Sequence, residues 1–96
     1  MTDVPGMKEF RDLLTEAINR MEVLNRDNPD DPMLSSIQRQ LHFVQDWTAD
    51  GKLPSEEQVK KLSFGVMASR AVDELDRQTA KILYSLANYV DHLPVR

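Results

Sequence analysis

Residues 55–76 read SEEQVKKLSFGVMASRAVDELD, and within them residues 62–72 are apolar or small at nearly every position. A helix that is hydrophobic around most of its circumference belongs inside a protein. The apolar run is only about a dozen residues, well short of the roughly 20 a bilayer span requires. The stretch therefore reads as the buried central helix of a small bundle, running from Ser55 to about Leu75. Gly65, Ala68, Ser69 and Ala71 carry little side-chain bulk, which lets neighbouring helices approach closely. A glycine inside a helix costs about 1 kcal/mol relative to alanine, so Gly65 marks a point of close contact. Ser55 opens the helix with S-E-E-Q, a capping box in which serine and Gln58 exchange hydrogen bonds with each other's backbone.

On the N-terminal side, two amphipathic helices precede this element. Phe10, Leu13, Leu14, Ala17, Ile18, Met21 and Leu24 follow the i, i+3, i+4, i+7 pattern. Pro5 suits the first turn of that helix, and D-N-P-D-D-P at residues 27–32 ends it. Asp31 and Pro32 then make a capped start for a second helix. Its seam is Leu34, Ile37, Leu41, Val44 and Thr48, and Phe43 and Trp47 form a separate aromatic row four residues apart. This helix should close near Ala49, with Gly51 as a left-handed cap. On the C-terminal side, Asp76 can cap a last helix bearing Ala80, Leu83, Leu86, Ala87 and Val90, ended by Leu93 and Pro94. The connectors are short, so consecutive helices should pack antiparallel. The expected fold is all-α: one domain over residues 1–96, a compact antiparallel four-helix bundle built around the third helix.

Composition narrows the function. The 96 residues hold 12 basic and 16 acidic side chains, a net charge of −4. Affinity for nucleic acid rests largely on neutralising phosphates, so no nucleic-acid partner is expected, and no anionic membrane surface either. There is no cysteine, hence no disulfide frame and no thiolate chemistry. The N-terminus lacks a basic region followed by an apolar run, and a cytoplasmic location is expected. Residues 1–50 hold ten acidic and five basic side chains, and residues 51–96 six and seven. The acidic first half is either a solvated face or a patch that steers a basic protein partner.

Little in the chain supports catalysis. His42 and His92 have no zinc-type partner spacing and no Glu-x-x-His arrangement. Asp30 and Asp31 lack the ligand spacing of a calcium loop, and the three glycines are isolated. Ser63 and Ser69 have no identifiable base. No catalytic residue, metal or cofactor is therefore expected. Asp73, Glu74 and Asp76 form the densest carboxylate group near the apolar helix. They read as a solvated helix end with a cap, or as partner contacts, or less readily as an acid–base pair, which would need a cleft. Phe43 and Trp47 read either as packing residues or as anchors of a protein interface.

L-S-F-G-V-M-A-S-R-A-V-D-E-L-D at residues 62–76, preceded by Q-L-H-F-V at residues 40–44, resembles a family of small helical immunity proteins from type VI secretion loci. The resemblance rests on Leu62, Ser63, Gly65, Ala68, Arg70, Asp73, Glu74 and Asp76, with Ser36, Gln40, Leu41, Phe43 and Val44 in the preceding helix. It implies a protein that binds and neutralises a cognate antibacterial toxin, typically one that hydrolyses NAD(P)+. On that reading the chain acts by occluding the toxin's active site, with Phe43, Asp46, Trp47, Asp73, Glu74 and Asp76 as the candidate toxin contacts. The alternative is an oligomerising helical scaffold or adaptor without toxin affinity, its apolar surplus buried in a homodimer.

Overall fold

The structure is a computed structural model and describes residues 7–93; the expected roles of Pro5 and Pro94 lie outside that range. The described residues form five α-helices: α1 Met7–Asp27, α2 Pro32–Trp47, α3 Glu56–Lys60, α4 Phe64–Ala71 and α5 Arg77–His92, with a 3₁₀ turn at Ala49–Gly51 between α2 and α3. No strand occurs among them. The all-α class follows.

The two N-terminal helices form where the periodicity places them. α1 buries Phe10, Leu14, Ala17, Ile18 and Met21, with Leu13 and Leu24 partly buried beside them. In the turn after it, Asp31 caps α2 by accepting from the backbone N–H of Met33 (2.9 Å) and Leu34 (3.3 Å). α2 buries the whole expected seam of Leu34, Ile37, Leu41 and Val44, followed by Thr48. The Thr48 hydroxyl donates to the Val44 carbonyl at 2.8 Å, so its burial leaves no polar atom unmatched. Helix α2 stops at Trp47, two residues before the expected point. Asp50 (φ 59°) and Gly51 (φ 78°) both adopt left-handed backbone in the turn that follows.

The third helix departs from expectation. Residues 55–75 are not one helix but two short ones, bent apart at residues 61–63. The Ser55 capping box is present, with Ser55 and Gln58 bonded both ways at 2.8 and 3.1 Å. The helix then tightens: Lys61 N–H donates to Gln58 O and Leu62 N–H to Val59 O, both three residues back. The next donor, Ser63 N–H, leaves the helix altogether and bonds Gln40 Oε1 of α2 at 2.7 Å. A side chain from another element thus takes the backbone group that would have carried the helix onward. Ser63 O restarts it, accepting from Met67 N–H. At the far end Val72 O accepts from both Leu75 and Asp76, closing a turn. Asp76 then caps α5 through Thr79.

Nor is this segment buried on all sides. α4 turns Phe64, Ala68 and Val72 inward, four residues apart, while Val66 is 60% exposed and Ser69 and Arg70 face solvent. α1 packs against α2 and α5, and α4 packs against the same two helices. The arrangement is a ring of four walls around a shared core, with α4 as one wall rather than the hub. Gly65 does mark a close approach: a Cβ added there would lie 3.0 Å from Ala87 Cβ on α5.

Candidate protein-binding surface

Polar side chains join α2 to α1 through Asn25 and to the start of α4 through Gln40, which is the centre of the α2–α4 seam. Besides accepting from Ser63 N–H, its amide Nε2 lies 3.3 Å from both Ser36 Oγ and Ser63 Oγ. Sulfur from Met67 closes the group at 3.3 Å. The two helices run in opposite directions. Early α2 residues (Pro32, Met33) share a depression with Arg70, Ala71, Glu74 and Leu75 at the end of α4. Later α2 residues share another with Lys61 and Leu62 at its start.

This second depression is a groove of about 450 Å³. One wall is the aromatic row of α2. The rings of Phe43 and Trp47 stack with centroids 5.8 Å apart and planes 9° off parallel. Phe43 is 45% exposed, whereas Trp47 is half-buried and packs against the core. Leu62 adds apolar surface opposite, and Arg39 and Lys61 contribute the charged side chains. Nothing along the groove resembles catalytic machinery. Among the described residues the Ser63 hydroxyl hydrogen-bonds only with Gln40 and Met67. His42 is exposed, and His92 Nδ1 sits 2.8 Å from the Asn88 carbonyl. Among the described residues no three His, Cys, Asp or Glu side chains gather as a metal site.

The six candidate contacts do not form one cluster. Phe43 and Trp47 meet at the groove. Asp46 is exposed on α2 beside Trp47 but does not line the groove. Asp73, Glu74 and Asp76 lie beyond the other end of α4, about 12 Å along the helix at 1.5 Å per residue. Two of these acids are engaged inside the molecule. Asp73 accepts from Tyr84 Oη at 3.0 Å and pairs with Arg77 Nε at 3.4 Å. Asp76 accepts from both the backbone N–H (3.2 Å) and the hydroxyl (2.8 Å) of buried Thr79. The Thr79 hydroxyl is the main reason the Asp76 carboxyl is held below its ordinary range. Burial, and then the bond to Asp73, push the Tyr84 phenol up, so it stays a donor. Glu74 alone of the three is exposed.

A family model described as Tsi6 matches residues 9–92. The chain belongs to the Tsi6 family. This is an immunity family of type VI secretion, whose namesake neutralises an NAD(P)+ glycohydrolase. The match runs from α1 to the last residue of α5 and so includes both sides of the seam. Comparison with curated proteins and with solved structures gives no match.

Membership of the Tsi6 family also puts the seam residues in a different light. Periodicity singled out Phe43 and Trp47 because aromatic residues off the core seam stand out. It passed over Arg39, Gln40 and Lys61, since a polar residue on an exposed helix face carries no spacing signal. Ser36 and Gln40 enter only through the resemblance, and Ser63 otherwise only as a serine without a base; the structure gives the three a shared job in holding α2 to α4. Gln40 and Ser63 are 23 residues apart, and nothing local in the chain pairs them.

Proposed function

We propose that this chain is a cytoplasmic immunity protein that binds a cognate type VI secretion effector toxin, an NAD(P)+ glycohydrolase, and inhibits it by covering its active site. It does no chemistry of its own. The family match carries this reading. Phe43 and Trp47 form the apolar anchor: a stacked, half-exposed pair on a stitched helix pair offers a rigid surface whose side chains lose little freedom on binding. Asp46 and Glu74 add exposed negative charge. A site that binds an anionic dinucleotide needs positive groups, and acidic side chains complement them, raising association rate and selectivity more than affinity. Asp73 and Asp76 contribute at the same end of α4, partly by holding the turn that presents Glu74.

The test is complex formation. The chain is mixed with the toxin domain encoded beside it and run by size exclusion, with NAD(P)+ loss followed in the same mixture. A stable complex with suppressed turnover supports the reading. Separate elution with undiminished turnover rules it out for that toxin.

A further inference from the structure

The polarity of the α2–α4 groove is opposite to that of the chain. The molecule carries a net charge of −4, and its first half, which supplies α2, holds twice as many acids as bases. Yet the charged residues lining the groove are Arg39 and Lys61, with no carboxylate among the lining residues. Three other cations are ion-paired, Arg20 with Glu16, Lys60 with Glu56 and Arg77 with Asp73, while Arg26, Arg70 and Lys81 stand without an ion pair among the described residues but apart from the groove. Among the described residues Arg39 and Lys61 have no ion pair, and both side chains are exposed. They flank an apolar wall made by Phe43, Trp47 and Leu62.

We infer that this groove receives an acidic segment of the partner protein, with a carboxylate between Arg39 and Lys61 and a neighbouring apolar side chain against the Phe43–Trp47 stack. The inference rests on the toxin-binding reading above and specifies how the partner is oriented. An arginine fork matches a carboxylate in two-point fashion, and a lysine adds a mobile point charge. A free small anion fits less well, because ligand sites of that kind enclose most of the ligand, whereas Phe43 stands nearly half exposed on an open wall. Glu74 lies at the other end of the same seam. The groove lining thus carries Arg39 and Lys61, with exposed Asp46 outside it, whereas at the other end Asp31 and Glu74 outnumber Arg70. A basic substrate cleft is drawn to the Glu74 end and repelled from the groove, so the groove meets an acidic rim outside the cleft. Like charges brought together at an interface suppress the wrong orientation.

The experiment measures binding of the neighbouring toxin domain to the full-length chain by calorimetry at about 0.15 M salt, where the Debye length is about 8 Å. Four proteins are compared with wild type: Arg39→Ala/Lys61→Ala, Arg39→Glu/Lys61→Glu, Phe43→Ala, and Arg26→Glu/Lys81→Glu as a reversal of equal charge away from the groove. The groove reversal should weaken binding by about tenfold or more relative to the distant reversal, with the alanine pair in between. Equal weakening by both reversals, or tighter binding by the groove reversal, overturns the inference while leaving toxin binding intact. Absence of any wild-type complex overturns the toxin reading itself. Should the reversed protein fail to fold, the alanine pair decides: unchanged affinity contradicts the inference. Two other occupants would also overturn it. One is a wild-type dimer in sedimentation that the groove reversal dissociates. The other is micromolar quenching of Trp47 fluorescence by ADP, Trp47 being the single tryptophan in the chain.

Discussion

Asp76 and Gly65 show how much single residues settle here. Asp76 fixes the first turn of α5 with both carboxylate oxygens on Thr79. Asp76→Ala should lower stability by about 1 kcal/mol, within the usual range for a lost N-cap, as read by urea unfolding at pH 7. The carboxyl is held below its ordinary value near 3.8, so its contribution is complete above that value and disappears as pH falls through the lowered one. The gap between wild type and variant should therefore shrink as the pH is taken below the ordinary carboxylate value; a gap that does not narrow anywhere on acidification while the protein stays folded would contradict the capping role. Gly65→Ala sets two effects against each other. Alanine gains about 1 kcal/mol of helix propensity, but its Cβ would lie 3.0 Å from Ala87 Cβ, and overpacking costs about 1–3 kcal/mol. Packing wins, and the variant should be less stable by about 1 kcal/mol. Adding Ala87→Gly should recover more than the two single changes summed, because the two positions share one contact.

At the scale of elements, Gln40 decides where the helical segment of residues 55–75 breaks. It takes the Ser63 N–H and bridges Ser36 to Ser63. Gln40→Leu should speed amide exchange at residues 61–64 and lower stability by about 1 kcal/mol, the net worth of an ordinary hydrogen bond. Unaltered exchange at Ser63 would mean that the break has another cause. The same residue explains what sequence could and could not reveal. Helices α1, α2 and α5 were legible because each has one apolar stripe and a clear end signal: D-N-P-D-D-P after α1, Asp31 with Pro32 before α2, Asp76 before α5. Residues 55–75 misled because their only start signal, at Ser55, was real, whereas the break uses a donor claimed by a side chain 23 residues away. Apolar density along a segment does not by itself mean burial on every side. It is instead divided between an inward face of Phe64, Ala68 and Val72 and an exposed Val66. Of the candidate contacts, the aromatic pair could be picked out by spacing. The Tyr84 bond to Asp73 could not, since it depends on how α5 folds back on the turn after α4, although Arg77, four residues on from Asp73, was within local reach.

The whole molecule presents a stitched seam with an aromatic wall, with Arg39 and Lys61 at one end and exposed Glu74 beside Arg70 at the other. Trp47 is packed against the core as well as the groove, so Trp47→Ala would lose stability along with binding. Phe43→Ala is the cleaner probe. It should weaken toxin binding by about 2 kcal/mol or more if the pair is the anchor, with a much smaller change in melting temperature. The most direct test of the central claim is a titration of toxin turnover against this chain. NAD(P)+ hydrolysis by the neighbouring toxin domain, held at a concentration well above the dissociation constant, is followed as the chain is added. Inhibition by occlusion predicts a linear fall to near zero at one chain per toxin. Full activity at a several-fold excess, or full suppression at a small fraction of an equivalent, would contradict it.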